Sequence, residues 1–485
     1  MVQKNQFKQI DEYTWELHKN YDSRMRVPVR IYGNREIFDQ AFGDRSIQQL
    51  INVSMLPGIV KYAMAMPDMH QGYGFPIGGV AAFDYDEGII SPGGVGYDIN
   101  CGVRMLASNI DLEEIQPHLS DLMTMLYQNC PSGLGGDGAV QVSTDEMDEL
   151  LEDGSEWARR QGYATRDDLA RTESGGRLPG ARADAAPYRA KQRGLSQIGS
   201  LGSGNHFLEI DVVDAIYDEA AAAAFGLTVG QIVVQIHCGS RGLGHEVCSQ
   251  YLRRLQDAPR RYNISIPDRE LVAAPIDSKE GQDYFAAMAA AANYAFVNRQ
   301  VLAHFARRTF EQVLAGKVAD WHLQQVYDVT HNVAKIEEHQ LGPDHRRKKL
   351  IVHRKGATRA FPPGHPELSE VYRPTGQPVL VPGSMGTASY VLVGTESAME
   401  RTFGSSCHGA GRTMSRRQAK RETRGEQVRQ ELNQEGITVR AGSMRGLAEE
   451  SPIAYKDVDL VVASVVGAGI ARKVARVHPV GVIKG

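Results

Sequence analysis

One recurring pairing constrains this chain more than any other feature: short β-type apolar runs end in glycine-rich loops that carry histidine, cysteine or serine. Val233-Val234-Gln235-Ile236 leads into His237-Cys238-Gly239-Ser240-Arg241-Gly242, and Val379-Leu380-Val381 leads into Pro382-Gly383-Ser384-Met385-Gly386 before a second run at Tyr390–Val393. Runs of this kind bounded by glycine read as strands, and strand ends are where a rigid scaffold presents its chemistry. The chain has 50 glycines in 485 residues, above the usual ~7%. They cluster beside polar residues, where backbone must approach a ligand closely, and so count as site architecture more than as linkers.

Helical patterning is concentrated elsewhere. Residues 282–316 predict a long helix or helical pair, with Val297, Val301 and Phe305 at i, i+4 and i+8, a scaffold more than a site. A second helix is predicted from near Gly411 to about Asn433, bearing Arg416, Arg417, Lys420, Arg421 and Arg424. Segment 134–190, with glycines at 135, 136 and 138 and an acidic helix candidate at Thr144–Glu152, predicts surface excursions. No repeat, low-complexity tract or long linker divides the chain, so residues 1–485 read as one catalytic domain.

Hydrophobic content of 42% and charged content of 23% exclude a disordered or fibrous class. The start, MVQKNQFKQI, carries no secretory pattern, and the longest apolar segment, Phe285 to Val297, is interrupted by Asn293 and falls short of the ~18 residues of a membrane span. Cys101, Cys130, Cys238, Cys248 and Cys407 are odd in number and irregular in spacing, poor material for a disulfide framework. A soluble cytoplasmic protein is expected. The net charge of −4 argues against wholesale coating of nucleic acid and leaves room for a local basic groove.

Asp98 and Cys101, three residues apart in a glycine loop, offer a carboxylate and a thiolate that can turn onto one cation. Alone they would be a turn former and a small buried hydrophobe. His206, His237 and His331 shift that balance, because each ends a β-type run or sits in a glycine loop and imidazole is the commonest neutral metal ligand. The set suits zinc, manganese, iron or cobalt over calcium or magnesium, and softness alone nominates zinc. Its wide spacing excludes a finger-type structural zinc.

Pro382 to Gly386 with Ser389, and Cys407-His408-Gly409-Ala410-Gly411-Arg412 at the head of the second helix, predict an anion cradle of turn amides, helix amides and Arg412. His408 would lie against a phosphate there. It can attack phosphorus as neutral imidazole or merely donate a hydrogen bond, and the spacing leaves both open. Arg346, Arg347, Lys348, Lys349, His353, Arg354, Lys355 and Arg359, with the helix arginines, predict a nucleic-acid track.

Seven stretches now combine: Pro67 to Gly72, Gly96 to Arg104, Gly199 to Glu209, His237 to Gly244, His353 to Arg359, Pro382 to Tyr390 and His408 to Arg412. In this order, from about residue 25 to the last, the chain resembles the RtcB family of GTP-dependent RNA ligases. The resemblance implies an α+β fold, a single compact domain of mixed sheets wrapped by helices. It implies an enzyme that joins an RNA 3′-phosphate or 2′,3′-cyclic phosphate to a 5′-hydroxyl, as in tRNA splicing and RNA repair. GTP is the implied co-substrate and two Mn(II) ions the implied cofactors; manganese rests on the resemblance alone.

By the same resemblance, His408 takes GMP from GTP, the GMP passes to the RNA 3′-phosphate, and the 5′-hydroxyl displaces it. One Mn(II) would take Asp98, Cys101 and His206, the other Cys101, His237 and His331. Matching guanylate positions are Asn205, His206, Phe207, Leu208, Glu209, His331, Asn332, Pro382, Gly383, Ser384, Met385, Ser389, His408, Gly409, Ala410, Gly411 and Lys484, with Tyr455 flanking the guanine. Asp68 matches a carboxylate needed near the metals. RNA ends, tRNA halves among them, are the implied partners; an activating protein is allowed and a monomer expected. Two rivals use the same residues: a binuclear metal-dependent phosphatase or nuclease, in which the metals activate water, and an RNA-binding scaffold with a structural metal, which widely spaced ligands favour least.

Overall fold

The valine- and isoleucine-rich runs assort into two large sheets joined through one residue. The computed structural model describes residues 2–133, 135–342 and 346–485, so Leu134 at the head of segment 134–190 lies outside the described residues. The first sheet has seven strands in the order Lys8–Asp11, Thr14–Leu17, Val29–Tyr32, Ile59–His70, Ile77–Asp84, Arg346–Lys355 and Asn332–Leu341. The second runs Leu323–Thr330, Gly102–Asp111, Gln231–Cys238, Phe207–Ile216, Ala471–Lys484, Ser389–Gly394 and Pro378–Val381, with Thr438–Ala441 parallel to Ala471–Lys484. The chain crosses from the edge of the second sheet to the edge of the first through His331 alone. This is the mixed α+β, single-domain architecture expected from the sequence.

Register, more than composition, creates the site. Thr330 faces Gly102, Gly102 faces Cys238, His237 faces both Val103 and Phe207, and Phe207 faces Lys484. Five neighbouring strands therefore end together, with Cys101, His206, His237, His331 and Lys484 at that common end. Gln231–Cys238, at the centre, is buried at every position, as a strand covered on both faces must be.

A single helix, Lys279–Leu314, 36 residues long, packs behind these strands. Ser278 caps it, its hydroxyl accepting from the Gly281 N–H at 3.1 Å. Every residue from Tyr284 to Ala303 is buried, and a helix enclosed on all sides belongs to the core. Its polar members Asn293, Asn298, Arg299 and Gln300 are all hydrogen-bonded. Among the described residues, no helix is long and apolar enough to cross a membrane.

Segment 134–190 is more deeply built in than surface excursions would be. It supplies the helices Thr144–Asp153, Ser155–Arg160 and Arg166–Ala170 and leads into Tyr188–Gly194. Met147, Leu150, Leu151 and Trp157 are buried in the same core as Tyr284 and Tyr294 of the long helix. Full burial of such side chains stabilises by about 1.5–3 kcal/mol each, enough to pin a segment whose glycines and charges suggest a surface. Fully buried Glu173 accepts from the Thr330 N–H at 3.1 Å and the Thr330 hydroxyl at 3.0 Å, so the segment reaches the residue before His331.

The helix predicted from Gly411 to Asn433 is two helices, Arg416–Glu422 and Gly425–Gln434, with extended Thr423 and Arg424 between them. Ser415 caps the first, accepting from the Gln418 N–H at 3.2 Å, so residues 408–415 are loop. The second must begin at a glycine: a Cβ at residue 425 would stand 2.0 Å from the Met444 carbonyl oxygen.

Candidate active site

At the common strand end the side chains converge as the sequence led one to expect. His206 Nε2 lies 2.8 Å from Asp98 Oδ2 and 3.6 Å from Cys101 Sγ, and Cys101 Sγ lies 3.2 Å from His237 Nε2. Donor atoms of Asp98, Cys101 and His206 all lie within 4.8 Å of one another. The His237 and His331 rings are 5.5 Å apart, centre to centre. Gly239 allows the close approach, because a Cβ there would stand 2.2 Å from Asp98 Oδ1.

The outer ring nitrogens are already committed. His206 Nδ1 donates to the Leu201 carbonyl at 3.0 Å, and His331 Nδ1 meets Thr358 Oγ1 at 2.9 Å, which leaves each Nε2 facing inward. His331 Nε2 is buried with no hydrogen-bond partner, a costly state that a cation would relieve. Burial above all holds His237 and His331 well below the ordinary histidine range, so both are neutral and need lose no proton to bind metal. Burial and the Asp98 charge push the Cys101 thiol up to about 12, and a bound cation reverses that logic. The residues fit a metal of the Zn or Mn kind.

Metal affinity should therefore rise with pH. Burial alone would lower His206, but Cys238 and Asp98 hold it well above the ordinary value. Binding must expel the Cys101 proton and the His206 proton, so the dissociation constant is expected to fall by about tenfold or more per unit between about pH 6 and 8. Calorimetric Mn(II) titrations at several pH values check this; a flat profile would argue against a thiolate ligand.

His408 follows the short strand Ser405–Cys407, paired with Ala357–Arg359. Asp68 Oδ2 accepts from the His408 backbone N–H at 2.9 Å and from Nδ1 at 2.5 Å. A proton on Nδ1 leaves Nε2 with a free lone pair. Asp68, placed by sequence near the metals, here grips His408, and its flanking carbonyls, Pro67 and Met69, accept from Lys456 Nζ at 2.9 and 2.7 Å. Gly411, at φ +74, crosses directly over Asp68, where a Cβ would stand 2.2 Å from the Asp68 carbonyl oxygen. The His408 ring is 5.3 Å from that of His331, which sets the candidate nucleophile beside the metal donors.

Both features open on one cavity of about 760 Å³. Asp98, Cys101, His237 and His331 line one side; Asn205, Phe207, Glu209, Asn332, Pro382 to Met385, His408 to Gly411, Tyr455 and Lys484 line the rest. Asn332 ties the two parts, donating to the Asp98 carbonyl at 3.0 Å and accepting from the Gly356 N–H at 2.8 Å. Leu208 does not belong to the wall. Side chains alternate along a strand, so Phe207 and Glu209 face the cavity while Leu208 packs with Ile236 and Ile483. Ser389 stands behind the loop, accepting from the Gly383 N–H at 3.0 Å, and His206 is turned to Asp98.

Part of the predicted cradle of successive amides is spent within the protein. The Ser384 N–H goes to Thr387 Oγ1 at 2.7 Å, the Ala410 N–H to the Pro382 carbonyl at 3.0 Å, and the Gly383 and His408 N–H groups to Ser389 and Asp68. With residues 408–415 in a loop, the helix begins later than predicted, at Arg416, and its cap Ser415 lines the cavity together with Arg416 and Gln418. Side chains add charge. Glu450, 1% exposed, pairs at 2.9 Å with both Arg412 Nη1 and Arg416 Nε and accepts from the Tyr455 hydroxyl. Burial alone would raise Glu450, but Lys484, Arg416 and Arg412 hold it below the usual carboxylate range. Burial lowers Lys484, opposed by Glu450 and Glu209.

Sequence reasoning missed Glu450 and Lys456, since Glu449-Glu450 reads as a solvated acidic pair and Lys456 as a surface lysine. It overreached on the basic run. Arg346 to Lys349 are exposed, but His353, Arg354, Lys355 and Arg359 are buried. Arg354 is bidentate to Glu337 at 2.6 and 2.9 Å, and Arg359 bonds Glu367 at 2.9 Å and Gln377 at 3.0 Å. A buried guanidinium needs such a partner, so Arg354 braces the first sheet, Arg359 ties its short strand to the 367–377 segment, and neither forms an RNA track.

Comparison with known proteins places the whole chain beside one family. A family sequence model described as tRNA-splicing ligase RtcB matches residues 49–485. The tRNA-splicing ligase RtcB of Thermococcus kodakarensis is 56% identical over 478 residues, 99% of this chain and 98% of that protein. Those of Archaeoglobus fulgidus and Aeropyrum pernix are 53% and 50% identical, each over 99% of this chain and at least 98% of their own length.

Proposed function

Since the chain belongs to the RtcB family of tRNA-splicing ligases, we propose that it joins an RNA 3′-phosphate or 2′,3′-cyclic phosphate end to a 5′-hydroxyl end through a guanylated histidine. The observation that carries the proposal is His408, held by buried Asp68, on the wall of a nucleotide-sized cavity that Cys101, His237 and His331 also line. A hydrolase whose metals activate water needs no histidine nucleophile. Asp98, Cys101 and His206 would hold one Mn(II), and Cys101, His237 and His331 a second. When bound, the ions offset charge on the phosphates and favour ionisation of the attacking hydroxyl.

The protein groups then have defined tasks. Tyr455 offers a flat wall and Glu209 and Lys484 polar contacts to the guanine. His408 Nε2 attacks the α-phosphorus of GTP; a P–N bond forms, a P–O bond breaks and pyrophosphate leaves. The imidazolium that results keeps its Nδ1 proton on Asp68, whose carboxylate offsets the new charge. An RNA 3′-phosphate oxygen next attacks that phosphorus and frees His408, giving an RNA-pp-guanosine end. The RNA 5′-hydroxyl finally attacks the 3′-phosphorus, forms the phosphodiester and expels GMP. A cyclic end is first opened by water to the 3′-phosphate.

The test is direct: purified protein with GTP, Mn(II) and two RNA strands ending in 3′-phosphate and 5′-hydroxyl should yield the joined strand with one GMP per joint. Strand shortening or phosphate release without joining would favour the hydrolase. Asp68→Asn should slow joining by roughly 10²-fold, because an amide can present its N–H to Nδ1 and favour the wrong tautomer. Single-turnover guanylation measures that effect; an unchanged rate would remove Asp68 from the account.

A further inference from the structure

The candidate metal donors arrive on four segments far apart in sequence, residues 98–101, 199–206, 237–239 and 328–331, and two adjacent residues of the long helix touch all four. Arg299 Nη1 donates to the carbonyl of Asn100 at 2.8 Å and to that of Cys238 at 2.9 Å, the residues just before Cys101 and just after His237. Its Nη2 donates to Asn100 Oδ1 at 3.0 Å and to Asp328 Oδ1 at 2.7 Å, and its Nε to Asp328 Oδ2 at 2.9 Å. Asp328 stands three residues before His331 on the same strand and its turn. Asn298 completes the set. Its Oδ1 accepts from the Gly199 and Ser200 N–H groups at 2.8 and 3.2 Å, and its Nδ2 donates to the Gly239 carbonyl at 3.2 Å and to Cys238 Sγ at 3.0 Å. Ser200 adjoins Leu201, whose carbonyl fixes the His206 tautomer.

We infer that the Asn298–Arg299 step is a positioning device that sets the spacing of Asp98, Cys101, His206, His237 and His331. The inference rests on the metal reading proposed above and assigns to the helix a job beyond packing. A planar guanidinium is suited to it, since its fixed fork can bridge two carbonyls and a carboxylate at once. Room for it was made: a Cβ on Gly102 would stand 3.0 Å from Arg299 Cζ.

The fold contains its own control. Arg104 is as deeply buried and bonds the same Asp328, Nε to Oδ2 at 2.7 Å. Its other side-chain hydrogen bond among the described residues goes to Gln300, so of the four donor-bearing segments it meets only the one at Asp328, which Arg299 also holds. Arg104→Lys therefore carries the cost of disturbing a buried arginine–aspartate pair while leaving the contacts to residues 98–101, 199–206 and 237–239, and Arg299's own hold on Asp328, in place.

Apo wild type, Arg299→Lys, Asn298→Ser and Arg104→Lys should be titrated with Mn(II) alone by calorimetry, with the metal-free thermal midpoint measured alongside. Arg299→Lys and Asn298→Ser are expected to weaken Mn(II) binding about 10–100-fold, the usual consequence of losing a group that orients metal ligands. Arg104→Lys should bind like wild type despite a similar drop in midpoint. Wild-type affinity in both helix variants, or an equal loss in Arg104→Lys, would overturn the inference. Should Arg299→Lys fail to fold, Asn298→Ser decides on the same titration. Wild type that binds no Mn(II) would instead overturn the metal reading, and the inference with it.

Discussion

His408→Ala should slow RNA joining by roughly 10⁴-fold or more, the scale on which enzymes lose rate when a covalent nucleophile is removed, while Mn(II) affinity stays within about twofold of wild type. The separation of the two effects is the point of the experiment. His408 lies 5.3 Å from His331, ring centre to ring centre, but its Nδ1 and backbone N–H are both spent on Asp68. It lies outside the two proposed donor sets, and its Nε2 is left to attack a ligand of the metals. Any variant that keeps the phosphorus-binding environment but lacks Nε2 must stop at bound GTP. Joining at a substantial fraction of the wild-type rate would require another nucleophile, or none.

Cys101→Ser is the second large effect, and it has the opposite signature. Cys101 Sγ is the atom nearest to both halves of the cluster, 3.6 Å from His206 Nε2 and 3.2 Å from His237 Nε2. In the proposed site the Cys101 thiolate would serve two ions, a task that a hydroxyl protonated at neutral pH could not take over. Mn(II) binding should weaken by more than about 100-fold at both sites together, beyond what loss of a group outside the ligands costs, and joining should fall with it. Asp98→Asn or His331→Ala should each spare one ion. Calorimetric stoichiometry distinguishes the cases: a Cys101→Ser protein that still binds one ion tightly would argue that the sulfur belongs to a single site.

Some of this was legible in sequence because its physics is local. Val233 to Ile236 announces a strand, and the loop that follows announces chemistry. Asp98, Cys101, His206, His237 and His331 were readable as one cluster because metal donors are a small chemical class. What remained hidden depends on register and long-range packing. Leu208 lies between two cavity residues and faces away from the cavity, a difference set by one step of strand alternation. The internal consumption of the Gly383, Ser384, His408 and Ala410 amides by Ser389, Thr387, Asp68 and Pro382 has no signature in a glycine-rich string. Arg354 and Arg359 look like a nucleic-acid track until Glu337 and Glu367 are seen to neutralise them. Glu450 sits among residues that read as solvated, and only the fold surrounds it with Arg412, Arg416 and Lys484.

The proposed reaction stands on the guanylation of His408. Wild-type protein incubated with Mn(II) and GTP labelled at the α-phosphate, then denatured, should carry label that is lost in acid, survives base, maps to the peptide containing His408 and disappears in His408→Ala. GTP consumed with no label on the protein, or label that persists in His408→Ala, would contradict the account.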